Sequence, residues 1–241
     1  MTVRRGRPSA GGPRSGAGDL GNDRRSALAM FDLAPAAVAR LDGFVDLLLH
    51  WQRRINLIAP STVMSLWTRH VADSLQLLDL VPAHGAAPAV FVDLGSGGGF
   101  PGMVIACAVA ADSTVHLVES NLKKAAFLRE AVRQTRAPGV VHAARIEAVA
   151  PLLTATRVDY VTARAVAPLP VLLDLIAPFV KRGAKALLLK GQDLDHELTE
   201  SGKHWHIETE TVPSRTSASG RILIVHGLRP ASAQPVSAHP L

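Results

Sequence analysis

Residues 92–102 read Val-Asp-Leu-Gly-Ser-Gly-Gly-Gly-Phe-Pro-Gly and directly follow a run of apolar residues. Glycine carries no Cβ, so a segment this rich in glycine can turn sharply and approach a ligand closely. The spacing Gly97-x-Gly99-x-x-Gly102 matches the turn that joins the first strand to the first helix of nucleotide-binding α/β sheets. The segment therefore predicts a Rossmann-like fold with a ligand site at this turn.

Beyond this turn, short apolar runs alternate with segments of helical periodicity. The predicted strands are 89–94, 115–118, 140–143, 158–162 and 186–189, and the predicted helices are 101–111, 122–135, 146–153 and 169–180. Such alternation is typical of βαβ units, which build a parallel sheet with helices on both faces. Two final strand-like runs, 206–212 and 221–228, predict an antiparallel hairpin at one edge of the sheet.

The composition divides the chain into four regions. Residues 26–87 predict an N-terminal helical extension, because apolar side chains recur there at helical spacing in two stretches. Residues 88–228 form the predicted ligand-binding domain. Residues 1–25 are rich in Gly, Pro, Ser and Arg and predict a disordered basic arm, and residues 229–241 predict a flexible tail.

The formal net charge of +6 comes mostly from the arm. Residues 1–25 hold six arginines and two aspartates, a net charge of +4, which leaves +2 for the other 216 residues. The arm therefore indicates either salt-sensitive affinity for nucleic acid or a solvated tail. Aromatic residues make up 4% of the chain, which argues against a surface on which bases stack.

Cysteine usage and hydropathy exclude several classes of protein. The single cysteine, Cys107, rules out a disulfide framework and a cysteine-based zinc site. The histidines His196, His204 and His206 lack partners at metal-ligand spacing, so we expect no metal. No apolar run approaches the ~20 residues of a membrane span, and no apolar signal region follows Met1. These features predict a cytoplasmic protein with no membrane association.

Acidic residues near the glycines indicate which cofactor to expect. Asp93 lies two positions before Gly95, where it would repel a pyrophosphate. Asp93, Gly95 and Gly97 are therefore expected to bind a cofactor that lacks phosphate and carries a cationic amino-acid end, and S-adenosylmethionine has both properties. Glu119 ends the second predicted strand, where it is expected to accept hydrogen bonds from the ribose hydroxyls. The alternative is an NAD-dependent oxidoreductase on a Rossmann sheet.

Charged residues follow the carboxyl end of every predicted parallel strand: Asp93, Glu119, Arg145 with Glu147, Arg164 and Lys190. Ligands of open α/β sheets bind along this edge. Ile146 and Glu147 are expected to contact the adenine. Arg164 and Lys190 are expected to hold the cofactor carboxylate or an anionic substrate such as a nucleic-acid phosphate.

A second cluster lies in the helical extension. His70 and Asp73, three residues apart, share a helical face, and Arg69 is next to them. The cluster is either a group that faces the substrate or a network that caps the sheet. These three residues, with Arg164 and Lys190, are the candidates for substrate binding.

From Phe44 to Leu228 the sequence resembles the glucose-inhibited division protein B family, also called ribosomal small-subunit methyltransferase G. The shared motifs, in the order in which they occur, are Trp51…Asn56-Leu57, Arg69-His70…Asp73-Ser74, residues 93–102, Arg145-Ile146-Glu147, Ala163-Arg164-Ala165 and Leu189-Lys190-Gly191-Gln192. The resemblance implies a Rossmann-like class I methyltransferase sheet, mostly parallel with an antiparallel C-terminal hairpin. It also implies cofactor contacts at Gly95, Phe100, Ile146, Glu147 and Arg164. The arm and the tail have no counterpart in it.

The resemblance further implies transfer of a methyl group from S-adenosylmethionine to N7 of one guanine in the 530 loop of 16S rRNA, which yields 7-methylguanosine. Guanine N7 has an in-plane lone pair and no proton to lose, so we expect no general base and name no catalytic residue. The partner would be 16S rRNA or the small ribosomal subunit, and the protein a monomer. A non-catalytic ribosome-assembly factor that retains the cofactor pocket is a further alternative.

Overall fold

A computed structural model describes residues 16–231 and contains one seven-stranded sheet. The strands are β1 (Val90–Leu94), β2 (Thr114–Val118), β3 (Gly139–His142), β4 (Tyr160–Arg164), β5 (Lys185–Lys190), β6 (Trp205–Pro213) and β7 (Arg221–Pro230). Their spatial order is β3-β2-β1-β4-β5-β7-β6. The first five strands are parallel, whereas β7 runs antiparallel to both β5 and β6. The predicted parallel sheet with an antiparallel C-terminal hairpin is confirmed.

Helices cover both faces of the sheet. They are α1 (Gly16–Leu28), α2 (Pro35–Gln52), the single turn α3 (Asp73–Leu75), α4 (Gly102–Ala108), α5 (Leu122–Thr135), α6 (Ile146–Leu153), α7 (Leu169–Val180) and α8 (Leu194–Ser201). Between α2 and β1 the chain forms 3-10 turns at Pro60–Ser65, Gln76–Leu80 and Pro82–Gly85, and one π-helical turn at Trp67–Ala72. Within residues 16–231, none of the helices combines the length and the hydropathy that crossing a bilayer requires.

The direction of winding reverses between β1 and β4, which lie side by side in the sheet. Asp93 of β1 pairs with Thr162 of β4, and the connections from these two strands leave toward opposite ends of the sheet. A crevice opens at the carboxyl ends of strands where the winding reverses, and ligands of α/β sheets bind there. The glycine segment after β1 and Arg164 at the end of β4 both border this crevice.

Two hydrophobic cores hold the layers together. On one face, the α2 residues Leu41, Phe44 and Leu48 recur every three or four positions, are fully buried, and pack with α4 and α5. On the other face, α6 and α7 pack on the sheet through residues such as Leu173 and Ile176. The helical extension therefore shares a core with the sheet and is fixed in position relative to the crevice.

The structure differs from the sequence prediction near both ends of the described chain. Residues 16–25 were predicted as part of a disordered arm, but they lie in α1, which packs against the π-helical turn. At the other end, Arg229 and Pro230 continue β7, and Arg229 pairs with Glu208 at 3.0 Å. Both segments are ordered by contacts with a neighbouring element, α1 with the π-helical turn and β7 with β6. Composition alone carries no signal for such contacts. The predictions for residues 1–15 and 232–241 lie outside the described residues.

Candidate active site

The glycine turn after β1 has a closed side and an open side. A Cβ built on Gly98 would come within 2.7 Å of the Leu57 carbonyl oxygen, so the helical extension packs directly against that side. Gly97 differs, because the nearest atom to its Cβ position is the Gly95 carbonyl oxygen, 3.7 Å away. Gly97 also has a φ of +54°, in the left-handed region that favours glycine. The open side therefore presents backbone at Gly95 and Gly97, the two residues of 95–100 that are not buried.

Asp93 lies beneath this turn and is fully buried. Its Oδ1 accepts a hydrogen bond from the Thr162 hydroxyl at 2.8 Å, and its Oδ2 accepts one from the Gly102 backbone N–H at 3.1 Å. Burial raises the pKa of Asp93 to about 6, although these hydrogen bonds act in the opposite direction. Asp93 therefore ties β1 to β4 and to the start of α4, and it holds the turn from below.

Glu119 at the end of β2 connects to the same turn. Its Oε2 accepts a hydrogen bond from the Gly97 backbone N–H at 2.8 Å, and its Oε1 accepts one from the Asn121 backbone N–H at 2.7 Å. A carboxylate has about four acceptor positions, so each oxygen keeps one for a ligand hydroxyl. Glu119 is thus held against the open side of the glycine turn.

The loop after β3 contributes Ile146 and Glu147 at the first turn of α6. Ile146 is half-buried, and Glu147 is exposed with its Oε1 3.6 Å from Arg145 Nη2. The pKa of Glu147 is lowered because its own backbone N–H donates to its carboxylate and because Arg145 is close. The sequence order β1, β2, β3 brings these loops to one edge of the sheet, as predicted.

Arg164, at the end of β4, is held by the helical extension. Its Nη1 donates to the Arg69 carbonyl oxygen at 3.1 Å and to Asp73 Oδ2 at 3.3 Å, and its Nη2 donates to His70 Nδ1 at 2.6 Å. Its guanidinium also lies 5.3 Å from the centre of the Phe100 ring. Burial lowers the pKa of Arg164, and the charge of Asp73 acts in the opposite direction. The guanidinium stays charged and is fixed in one orientation.

His70 is neutral and its tautomer is determined by its partners. Arginine can only donate, so His70 Nδ1 must accept from Arg164, and His70 Nε2 must carry the proton. His70 Nε2 then donates to the Thr62 hydroxyl at 2.8 Å, and that hydroxyl donates to the Ala59 carbonyl oxygen. Burial, followed by the charges of Arg164 and Arg69, lowers the pKa of His70 to about 3. Both ring nitrogens are therefore occupied.

Asp73 joins three parts of the chain. Its Oδ2 contacts Arg164, and its Oδ1 accepts from the Thr216 hydroxyl at 2.6 Å and from Gln76 Nε2 at 2.9 Å. Gln76 is 2% exposed and also donates to the Ser214 hydroxyl at 3.2 Å. The loop between β6 and β7 is thereby tied to the extension.

A cavity of about 640 Å³ opens between these groups. It is lined by Arg69, His70, Asp73, Arg164, Ala165, residues 189–193, Glu197 and residues of the β6–β7 loop. Lys190 Nζ lies 2.6 Å from Glu197 Oε2, so this cation is paired. Ala165 has a φ of +53°, which is unusual for a residue with a Cβ and is found at functional sites.

The structure brings the predicted substrate residues together but divides the predicted cofactor residues. Arg69, His70, Asp73, Arg164 and Lys190 all line the cavity. Gly95, Gly97, Glu119, Ile146 and Glu147 lie along the neighbouring loops, outside the cavity lining. The two groups adjoin, because a Cβ on Gly95 would come within 2.8 Å of Val166, which follows the cavity residue Ala165.

Two predicted cofactor residues contribute otherwise than expected. Asp93 offers no exposed surface, and both its oxygens already accept hydrogen bonds. The Phe100 ring is 4% exposed and packs 4.9 Å from the His70 ring and 5.5 Å from the Phe44 ring, measured between centroids. Asp93 supports the glycine turn from below, and Phe100 packs against His70 and Arg164.

Sequence reasoning missed the cavity residues Thr216 and Glu197, and also Gln76, which is buried behind the cavity and donates to Asp73. Helix α8, which carries Glu197, was not predicted, although its acidic first turn with Asp195 and Glu197 is a usual signal of a helix start. No local signal marks Thr216 or Gln76, because their roles depend on contacts with residues far away in the sequence.

The family model described as rRNA small subunit methyltransferase G matches residues 37–223 of the chain. A protein named ribosomal RNA small subunit methyltransferase G from Bradyrhizobium sp. (strain ORS 278) is 53% identical over 86% of this chain and 92% of its own length. A protein of the same name from Rhodopseudomonas palustris (strain BisB18) is 50% identical over 88% of this chain and 89% of its own length.

Solved structures share the fold at low identity. An O-methyltransferase from Bacillus cereus in complex with SAH aligns with a TM-score of 0.53 and 14% identity over 76% of this chain and 90% of its own. The O-methyltransferase TomG from Streptomyces achromogenes in complex with SAM aligns with a TM-score of 0.55 and 12% identity over 86% of this chain and 96% of its own. The predicted Rossmann-like methyltransferase fold, a mostly parallel sheet with an antiparallel C-terminal hairpin, is therefore confirmed.

Proposed function

The chain belongs to the rRNA small subunit methyltransferase G family, and from this premise we propose that it methylates N7 of one guanine in the 530 loop of 16S rRNA. It is an S-adenosylmethionine-dependent rRNA methyltransferase. The alternative of an NAD-dependent oxidoreductase is therefore rejected, because the family transfers methyl groups and not hydride. The observation that carries the proposal is the junction of an open glycine turn with a cation-lined cavity where the sheet winding reverses.

The open side of the glycine turn fits S-adenosylmethionine. Gly97 leaves free space where a ligand can approach the backbone, and Glu119 keeps acceptor positions for the two ribose hydroxyls. We propose that Ile146 contacts the adenine face and that Glu147 accepts from its amino group. Asp93 acts from beneath the turn by holding it in place.

The reaction suits a site without a general base. When bound, S-adenosylmethionine supplies a methyl group on a sulfonium sulfur, and guanine N7 accepts it with its lone pair and loses no proton. The cavity residue placed most like a base, His70, has both ring nitrogens occupied by Arg164 and Thr62. Catalysis then rests on holding the two reactants in line, which can contribute up to ~7–11 kcal/mol in favourable systems.

The charges of the cavity also suit a cationic product ring. Arg164 is paired with Asp73, and Lys190 is paired with Glu197, so neither cation opposes the positive charge that N7 acquires on methylation. Arg69 is exposed, and no carboxylate within residues 16–231 pairs with it. We propose that Arg69 contacts an RNA phosphate and that Arg164 holds the cofactor carboxylate or a second phosphate.

We further propose that the protein acts in the cytoplasm as a monomer on 16S rRNA within the small subunit or its precursor. The test is mass mapping of 7-methylguanosine in 16S rRNA from cells with and without this gene. We expect the modification to disappear from one position in the 530 loop and to return with the wild-type gene. Unchanged 7-methylguanosine in the deletion strain would contradict the proposal.

A further inference from the structure

An acidic residue of α1 holds the π-helical turn Trp67–Ala72 from outside. Asp23 Oδ2 accepts from the Trp67 backbone N–H at 2.8 Å, and Asp23 Oδ1 accepts from the Thr68 backbone N–H at 3.2 Å and from the Thr68 hydroxyl. Backbone N–H groups at the start of a helix lack intrahelical acceptors. A carboxylate there accepts their hydrogen bonds and interacts favourably with the positive end of the helix dipole. Asp23 therefore acts as a cap supplied by another helix.

Helix α1 is fixed firmly enough for this role. Arg24 donates from Nε to Asp42 Oδ1 at 2.6 Å and from Nη2 to Asp42 Oδ2 at 2.8 Å, which anchors α1 to α2. The Arg24 guanidinium also lies 5.4 Å from the centre of the Trp67 ring. Ala27 is 1% exposed and belongs to the core shared with the sheet.

The turn that Asp23 caps carries two of the groups that orient Arg164. Arg69 supplies its carbonyl oxygen and His70 its Nδ1, both one or two residues beyond Thr68. Geometry within a helical turn is transmitted along the backbone, so a shift at Trp67 and Thr68 moves both acceptors. Displacements of about 1 Å at a reacting centre can reduce the rate by about a hundredfold.

We propose that Asp23 is a positioning residue for methyl transfer: it fixes the π-helical turn so that Arg69 and His70 hold Arg164 at the edge of the cavity. The inference rests on the proposed function and extends it to α1, which precedes the residues 37–223 matched by the family model. Among the hydrogen bonds of the described residues none joins Asp23 to the glycine turn, and the turn that Asp23 caps touches the glycine segment through the rings of His70 and Phe100. The effect of Asp23 should thus be larger on methyl transfer than on cofactor affinity, which it reaches only through Arg164.

The test compares Asp23→Ala, Asp23→Asn and Asp19→Ala in the full-length protein. Asp19→Ala is the matched control, because Asp19 is an exposed carboxylate on the same helix. For each variant, kcat and KM are measured with small ribosomal subunits, the S-adenosylmethionine Kd is measured by calorimetry, and Tm is recorded. All assays are run well below the lowest Tm.

For Asp23→Ala we expect kcat/KM to fall on the order of tenfold, with a clearly smaller rise in the cofactor Kd, because the acceptors of Arg164 move. Asp23→Asn should recover part of the activity, since its amide oxygen still accepts from a backbone N–H. Asp19→Ala should behave as the wild type.

Two results would overturn the inference while leaving the proposed function intact. One is an active wild type with Asp23→Ala equal to Asp19→Ala. The other is a loss of cofactor affinity in Asp23→Ala as large as the loss of activity or larger, which indicates general loosening of the fold. A wild type that is inactive on small subunits, despite binding the cofactor, would instead refute the proposed function, and this inference with it.

Discussion

The two halves of the site are built in different ways. The glycine turn is made of backbone, and its supports Asp93 and Glu119 lie within a few tens of residues along the chain. The cavity is made of side chains, and its central carboxylate, Asp73, binds partners 91 and 143 residues away in Arg164 and Thr216. A site of the first kind is determined by a short local sequence, whereas the second exists only when distant segments pack correctly.

The difference predicts two kinds of failure. Changes on the open side of the glycine turn, at Gly95 or Gly97, should reduce cofactor binding more than they disturb the cavity, because this side is supported by Asp93 and Glu119. Changes in the cavity network should reduce methyl transfer while the cofactor still binds. The cavity side should also depend on pH through His70, whose partners fix it as a neutral ring.

The largest effect is expected for Gly97→Asp. Aspartate tolerates a left-handed φ, so the chain should still fold, but the side chain would occupy the open space beside Glu119 and repel its carboxylate. We expect cofactor affinity and activity to fall about a hundredfold or more. Calorimetry with S-adenosylmethionine measures this directly.

Gly183→Asp is the matched control for that variant. Gly183 has a φ of +96° and no neighbouring atom within 4 Å of a Cβ, and it lies in the turn before β5 at the opposite edge of the sheet. Its substitution should cost some stability and leave cofactor affinity unchanged. Equal affinities for Gly97→Asp and Gly183→Asp would refute the assignment of the cofactor cradle.

Arg164→Lys tests the cavity side. Lysine keeps the charge but lacks the planar fork that serves Arg69, His70 and Asp73 together, so we expect kcat to fall about thirtyfold with smaller loss of cofactor affinity. Radiolabelled methyl transfer to small subunits gives the rate. The control Arg157→Lys changes an exposed pair with Asp159 near the amino end of β4 and should have no effect. A fully active Arg164→Lys would show that methyl transfer does not require the planar guanidinium of Arg164.

His70→Gln tests the pH dependence. The ordinary pKa of 6.5 falls to about 3 in the folded protein, so the unfolded chain binds more protons between these values. Stability should therefore fall as the pH drops below 6.5. Glutamine can accept from Arg164 and donate to Thr62 without titrating. Asp93, whose pKa is raised, contributes with the opposite sign in both proteins and cancels in the comparison.

Urea unfolding of the wild type and His70→Gln at two pH values measures this contribution. Between about pH 6.5 and 4.5 we expect the wild type to lose about 2 kcal/mol more stability than the variant. At higher pH the difference between the two proteins should become constant, which serves as the internal control. Parallel curves through the acidic range would mean that His70 titrates normally.

The smallest effect is expected for Thr216→Val. This change removes the hydroxyl that donates to Asp73 Oδ1 and keeps the side-chain volume, so the β6–β7 loop is held less firmly. We expect KM for small subunits to rise about fivefold, the equivalent of ~1 kcal/mol, with unchanged cofactor affinity. Thr209→Val, on the same hairpin, removes a hydroxyl that donates to the Ile224 carbonyl oxygen away from the cavity. A KM unchanged in Thr216→Val, or raised equally in both variants, would exclude this coupling.

Much of the catalytic sheet was predictable because its signals are local. Helices α5, α6 and α7 begin and end where their periodicity indicated, and the glycine turn follows β1 as its spacing required. Arg164 and Lys190 meet as predicted, since the carboxyl ends of parallel strands share an edge, whereas Arg69, His70 and Asp73 reach the same cavity by packing of the helical extension. Helix α1 was missed because its sequence is polar and rich in glycine, and its order comes from Asp23 and Arg24 binding other helices.

The sequence by itself determined the parallel sheet, the glycine turn and the charged edge, because periodicity and contiguous motifs act over a few residues. The tertiary structure alone decided that Asp93 is buried, that Asp73 joins Arg164 to Thr216, and that Asp23 caps the turn carrying Arg69. Each of these depends on contacts between residues that are dozens of positions apart. Such contacts form from packing and burial, for which a single sequence carries no local signal.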